Sequence, residues 1–164
     1  MLPNITTERL HLRCIHWSDL DRLHSMLSLP RFRQASKGCG FPESEKILAR
    51  WIRHRQINHQ RGLECCYAIC LKQATELGGI IYITPESDDA ELSFWLHPEL
   101  WSQGYMREGL NAVLPLWHEK KNNPVYTIVH RSNTSSLRLI SHFPFYEITG
   151  KEADCLTFKY KKSL

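Results

Sequence analysis

Between Ala90 and Trp117 a strand-like run, a glycine turn and a one-faced helix follow each other without a break, and this unit constrains the rest of the chain. Ala90-Glu91-Leu92-Ser93-Phe94-Trp95-Leu96 is rich in apolar and aromatic residues. Met106, Leu110, Val113, Leu114 and Trp117 recur at the 3.6-residue period of a helix that buries one side. Between them lies Trp101-Ser102-Gln103-Gly104-Tyr105-Met106. A glycine there lets backbone approach a ligand with no Cβ in the way. The first amides of a helix have no intrahelical partner, so they suit a phosphate or pyrophosphate. The turn reads as a pocket for a phosphorylated cofactor. On its own, one glycine before a helix also marks an ordinary turn, so the rest of the chain must carry the reading.

Elsewhere the periodicity is as clear. Leu10, Leu12 and Cys14 alternate with His11 and Arg13, which predicts a first strand. Ser18 and Asp21 have the spacing of a capping box, ahead of a helix through Leu20, Leu23 and Leu27 that Pro30 stops. A loop with Gly38 and Gly40 leads to a second helix with Ile47, Leu48, Trp51 and Ile52 on one side. Cys65 to Leu71 and Gly79 to Ile83 read as strands, as does Val125 to His130. Asn133 is placed to cap a helix in which Leu137, Ile140 and Phe143 share a face. Two last strands fall near Tyr146–Thr149 and Leu156–Tyr160. Pro115 removes a backbone hydrogen bond inside the third helix and crowds the carbonyl of Asn111, which predicts a kink or a bent helix.

The predicted order is β-α-α-β-β-β-α-β-α-β-β, an α/β (α+β) domain with about seven strands flanked by about four helices. Strands that lead into the two C-terminal helices require a parallel crossover in a mixed sheet. Ligands of such sheets gather outside the carboxyl ends of diverging parallel strands, where the Trp101–Met106 turn falls. No repeat or linker divides the 164 residues, so residues 1–164 are expected to form one domain.

Composition narrows the function classes. No apolar run approaches the ~20 residues that span a bilayer, and no signal-like segment opens the chain, so a cytoplasmic location without membrane attachment is expected. The six cysteines include no C-x-x-C pair, and several lie in apolar strands, which predicts buried thiols. The nine histidines show no metal-ligand spacing, and no metal is expected. Net charge is +4, with Arg31, Arg33, Lys37, Lys46, Arg50, Arg53, Arg55 and Arg61 concentrated in one stretch. No aromatic pattern for base stacking accompanies them, so the stripe reads as a solvated helix face and nucleic acid is not expected as a partner.

Taken together, these segments resemble the GNAT superfamily of acetyl-CoA-dependent N-acetyltransferases, in the branch that contains ribosomal-protein N-terminal (Rim-type) enzymes. The resemblance begins with Thr7-Glu8-Arg9-Leu10-His11-Leu12-Arg13 and runs through nearly the whole chain. Its most specific parts are Ala90–Leu96, then Trp101-Ser102-Gln103-Gly104-Tyr105-Met106-Arg107-Glu108, then Asn133-Thr134-Ser135-Ser136. The resemblance implies a mostly antiparallel mixed sheet and acetyl-CoA as cosubstrate. Amides of Gln103, Gly104, Tyr105 and Met106 would cradle the pyrophosphate, with the Ser102 hydroxyl nearby. Asn133 would contact the pantetheine arm, and Arg107 and Arg138 are candidates for the ribose phosphate. The sequence departs from the family at Ser102, where glycine is usual, at Met106, where alanine is usual, and at Pro144-Phe145, where glycine-phenylalanine is usual.

Amide formation from a thioester needs a deprotonated amine, a polarised carbonyl and a departing thiolate. Backbone N–H groups freed from strand pairing around Phe94, Trp95 and Leu96 would polarise the carbonyl, as the resemblance implies. Glu91 is the one carboxylate inside that strand and the candidate base; its other reading is a cross-strand charge pair. Ser136 matches the branch's serine three residues after the asparagine and is the candidate donor to the sulfur, with Tyr105 and Tyr146 as fallbacks. The acceptor would be a primary amine, either a peptide N-terminus or a small molecule, and the protein a monomer or homodimer. The alternative is a catalytically weak member of the same fold that binds coenzyme A or a protein partner.

Overall fold

A computed structural model describes residues 2–35, 44–121, 123–148 and 154–160. They form an eight-stranded sheet in the order β1-β2-β3-β4-β5-β6-β8-β7. The strands are β1 (Ile5–Thr6), β2 (Leu10–Cys14), β3 (Cys65–Leu71), β4 (Leu77–Glu86), β5 (Asp89–Leu96), β6 (Val125–His130), β7 (Phe145–Ile148) and β8 (Cys155–Tyr160). The helices are α1 (Leu20–Ser28), α2 (Pro30–Ala35), α3 (Glu45–Gln60), α4 (Tyr105–Lys120) and α5 (Thr134–Ile140). The mixed, mostly antiparallel sheet expected from the sequence is present, with two additions. The two-residue β1 is too short to carry a periodic signal. Pro30 does end the first helix, but it also opens α2, since proline is tolerated in a first helical turn.

Two apolar layers sandwich the sheet. On one face Leu10, Leu12, Tyr67, Ile69, Ile81 and Leu92 pack against Met106, Leu110, Val113, Leu114 and Trp117 of α4. Each fully buried α4 side chain contributes about 1.5–3 kcal/mol of transfer free energy, so this face anchors the turn in front of the helix. On the other face Ile15, Cys66, Ala68 and Ile80 meet Leu23, Met26 and Leu27 of α1 and Leu48 and Ile52 of α3. Ile47, expected on the buried side of α3, is 53% exposed instead.

Local caps also differ from expectation. His16 and Asp19, not Ser18 and Asp21, form the capping box: the His16 amide donates to Asp19 Oδ2 at 2.9 Å, and His16 Nδ1 accepts from the Ser18 amide at 3.3 Å. A short 3₁₀ turn (Trp17–Asp19) starts the segment one step earlier than the hydrophobic period shows. Helix α4 runs unbroken through Pro115. Pro115 and Asn111 are both exposed, so water can reach the carbonyl that loses its partner. Cys65, Cys66 and Cys70 are buried thiols, whereas Cys14 and Cys155 are half-buried. Gly38, Cys39, Gly40, Lys37 and Thr149 lie outside the described residues. No helix among the described residues is long and apolar enough to cross a membrane.

Candidate active site

The one parallel pair in the sheet is β5 with β6, and it is short. Only Ala90 with Val125 and Glu91 with Tyr126 are in register. Beyond them β5 continues for five residues with no strand on that side among the described residues. The amide of Ala90 donates to the Pro124 carbonyl at 2.8 Å, which fixes the even-numbered residues as those whose backbone groups face β6. Alternation along a strand then aims the N–H groups of Phe94 and Leu96 into the gap. The β4–β5 register is unshifted from Gly79–Leu96 to Glu86–Asp89, so the gap is a splay of strands and not a bulge.

The carboxyl ends of both splayed strands feed helix N-termini at the same edge of the sheet. β5 leads through a second 3₁₀ turn (Pro98–Leu100) to α4, and β6 leads to α5. Gly104 is the N-cap of α4 and takes φ 81°, with no side chain capping it. The first α4 amide with a protein partner is that of Glu108, which donates to the Gly104 carbonyl at 3.0 Å. Among the described residues, the amides of Gly104, Tyr105, Met106 and Arg107 bond to no protein atom. Four orphan donors at a left-handed glycine fit a pyrophosphate. Ser102 also adopts a left-handed φ, 61°, which glycine accepts without strain and serine does not. Met106 is buried beneath the turn, so the usual alanine is replaced by a side chain that fills the core.

A contact invisible to local pattern reading holds this turn. Glu108 accepts from Thr7 Oγ1 at 2.5 Å, from the Arg9 amide at 2.7 Å and from Arg9 Nε at 2.6 Å. Arg9 Nη1 continues to the Gln103 carbonyl at 2.9 Å, and its guanidinium lies 4.5 Å above the Tyr105 ring. Gln103 is further tied by its Nε2 to the Glu99 carbonyl at 2.7 Å. Partial burial opposes ionisation of Glu108, yet the hydrogen bonds from Thr7 and Arg9 and the Arg9 charge hold its carboxyl below the ordinary carboxylate range.

Asn133 caps α5, its Oδ1 accepting from the Ser136 amide at 3.1 Å. Ser136 is half-buried in the first turn of that helix. Arg107 and Arg138 are exposed on α4 and α5. Tyr146 is 48% exposed on β7.

Glu91, Ser93 and Trp95 point to the α3 face of β5, opposite to Leu92, Phe94 and Leu96, which face α4. Trp95 stacks on Trp51 of α3 at 5.5 Å and meets the Tyr82 ring edge-on at 5.5 Å. Glu91 is half-buried beside Ser93, whose hydroxyl lies 3.5 Å from Glu91 Oε1. Burial pushes the Glu91 carboxyl up, helped by the Glu86 charge and opposed by Ser93 and Arg55. No ion pair holds Glu91 within the described residues. Glu91 stands three residues from Phe94, about 10 Å along a strand, too far for direct contact with a group at the Phe94 amide.

Arg55 departs from the solvated stripe the sequence predicts. Its Nη1 donates to Glu64 Oε2 and Thr84 Oγ1, both at 2.8 Å, and its guanidinium covers the Trp51 and Tyr82 rings. Ser93 follows from the two-residue period starting at Glu91; nothing local in the sequence marks Arg55. A separate wide groove of about 900 Å³ lies beside α1, lined by Arg13, His16, Asp19 and Arg22 among others. None of its lining belongs to β5, α4 or α5, and its chief charges already pair, Arg13 with Asp19 at 2.6 Å. Among the described residues no three His, Cys, Asp or Glu side chains gather as metal ligands.

Residues 9–145 match the family model described as an acetyltransferase (GNAT) domain. No curated protein matches the sequence. Among solved structures, an acetyltransferase from Agrobacterium tumefaciens str. C58 superposes with a TM-score of 0.80 at 21% identity, over 99% of this chain and 96% of that one. A Salmonella typhimurium acetyl transferase described as modifying the N-terminal serine of ribosomal protein L7/L12 gives 0.78 at 18% identity, over 98% and 100%. RimL, a ribosomal L7/L12 alpha-N-protein acetyltransferase solved in complex with coenzyme A, gives 0.77 at 18% identity, over 96% and 97%.

Proposed function

Because the chain belongs to the acetyltransferase (GNAT) domain family, we propose that it moves acetyl from acetyl-CoA to a primary amine by direct attack in a ternary complex. The observation that carries this reading is the pairing of four unbonded α4 amides with a splayed β5–β6 gap at the same sheet edge. Gln103, Gly104, Tyr105 and Met106 would hold the pyrophosphate through backbone N–H groups, joined by Arg107, with the Ser102 hydroxyl nearby. Phe94 and Leu96 would direct their amides at the thioester carbonyl, where preorganised donors stabilise developing negative charge. Trp95 would wall the acceptor side. Asn133 would meet the pantetheine arm, and Arg107 and Arg138 the ribose phosphate. Bound there, the cosubstrate supplies an electrophilic carbonyl and a thiolate leaving group.

Glu91 is the proposed base. A carboxyl with a raised pKa accepts a proton more readily at neutral pH than an ordinary one. Ser93 lies between it and the gap, which supports a relay. The amine arrives from the α3 face as an ammonium, loses its proton through Ser93 or water toward Glu91, and attacks the carbonyl. Ser136, in the first turn of α5 beyond the carboxyl end of β6, would return a proton to the sulfur; Tyr105 and Tyr146 are the alternatives. A protein N-terminus is the first acceptor to test, since solved neighbours include enzymes named for that substrate.

Thermal-shift titration with acetyl-CoA, followed by mass spectrometry of N-terminal peptides and small amines, tests the proposal. Stabilisation with an acetylated amine supports it. Stabilisation without transfer to any amine points to a binding module, and no stabilisation overturns the cofactor reading.

A further inference from the structure

Trp101 stands where the sheet opens. Its indole Nε1 donates to the Leu96 carbonyl at 2.7 Å. That carbonyl lies on the gap side of β5, because the His97 amide next to it points the other way, to the Gly78 carbonyl at 2.8 Å. In a continuous sheet a neighbouring strand would take such a carbonyl. Here a side chain does. The Trp101 ring packs against both hydrophobic layers, one on each face of the sheet. Arg31 of α2 completes the enclosure, its guanidinium 5.1 Å above the ring. Trp101 also begins the turn that carries the α4 amides. One side chain therefore joins the end of β5, the α4 turn and α2.

We propose that Trp101 is a positioning residue that fixes the end of β5 relative to the α4 amides. It thereby sets where Phe94 and Leu96 meet a thioester whose pyrophosphate is already held. This inference rests on the cofactor reading above, and it separates two quantities that reading leaves joined. Without the indole hydrogen bond the α4 amides still grip a pyrophosphate, while the last residues of β5 lose their register with it. Affinity for coenzyme A should survive and turnover should fall.

Trp101→Phe tests this, because it keeps an aromatic ring under Arg31 and removes the N–H donor, together with part of the ring's packing volume. Losing one hydrogen bond to a buried carbonyl should lower kcat about 10-fold while calorimetric affinity for coenzyme A stays within about 2-fold. Hydrogen exchange at the His97 amide should quicken about 10-fold, with exchange at Glu91 unchanged. Wild-type kcat together with wild-type His97 exchange in Trp101→Phe overturns the proposal. So does a parallel fall of affinity and kcat that tracks a lowered melting point, which is what a plain core residue gives. Should the wild type bind coenzyme A but acetylate nothing, the activity reading fails separately. Exchange still decides this one: acetyl-CoA, which carries the thioester carbonyl, should protect the Phe94 and Leu96 amides in the wild type and not in Trp101→Phe. Should the wild type bind no coenzyme A, the cofactor reading fails and unchanged His97 exchange in Trp101→Phe rejects the pinning role as well.

Discussion

Arg9 and Glu108 are 99 residues apart in the chain and hold each other at two points, Nε to Oε2 at 2.6 Å and backbone N to Oε1 at 2.7 Å. The segment before β2 is thereby clamped to the first turn of α4, the turn whose amides are unbonded. Arg9 is 41% exposed on its side chain, so solvent screens much of the charge attraction and the hydrogen bonds carry the clamp.

Glu108→Gln keeps the shape and removes the charge. The expected cost is about 1–2 kcal/mol of unfolding free energy, because the amide has one acceptor oxygen where the carboxylate has two, so either the bond from Arg9 Nε or those from Thr7 and the Arg9 amide are lost. Urea denaturation measures it. Because the Glu108 carboxyl is held below its ordinary range, its contribution is complete above the unfolded-state pKa and disappears as pH falls through the lowered value. Glu108→Gln should flatten that acidic slope.

Gly104→Ala places a Cβ at φ 81° and 3.3 Å from Arg9 Nη2. A left-handed alanine costs about 1–2 kcal/mol, and the guanidinium must also give way. Stability should drop by that amount, and calorimetry should show weaker coenzyme A binding, since the same backbone turn aims the four amides.

Glu91→Gln should lower kcat about 10²-fold, the scale of a lost general base. The acidic limb of the wild-type kcat/KM profile, set above the usual carboxylate range by burial and the Glu86 charge, should vanish with it. Stability carries the opposite sign. A carboxyl whose folded pKa is raised binds its proton more tightly in the folded state, so its charge opposes folding at neutral pH. Glu91→Gln should therefore be as stable as the wild type or more so, which separates a catalytic loss from an unfolding one.

His59 is 1% exposed, and its Nδ1 accepts from the Cys66 amide at 3.0 Å. Burial pushes its pKa down from 6.5 to about 4, against a smaller opposing effect of the Leu2 backbone. Below pH 6.5 the unfolded chain takes up a proton that the folded one refuses. Stability should fall by up to about 3 kcal/mol between pH 6.5 and 4 and then level off for this group. His59→Gln should remove that slope in pH-dependent denaturation.

Much of this was legible in the sequence for identifiable reasons. The α4 stripe is visible because burial on one face requires the 3.6 period, and Met106, Leu110, Val113, Leu114 and Trp117 are all buried. Asn133 is visible because a cap is a local hydrogen bond, and it is made to Ser136. Strands β3 and β6 are bounded as expected because β-branched and aromatic residues end where polar ones begin. The splay of β5 from β6 is written in no local pattern, since pairing depends on where a distant strand lies; only the family resemblance implied it around Phe94–Leu96. Arg9–Glu108 and Arg55–Glu64–Thr84 escaped for the same reason. Pro30 signals a stop without revealing α2, because proline has the same local signature after a helix as at the start of the next.

Amide-resolved NMR of the uniformly ¹⁵N-labelled protein, titrated with coenzyme A, probes the site directly. The largest shifts are expected at the amides of Gly104, Tyr105, Met106 and Arg107, with Phe94 and Leu96 following when acetyl-CoA replaces coenzyme A. Saturable shifts confined to the groove around Arg13, Asp19 and Arg22, with those six amides unmoved, would contradict the cofactor reading.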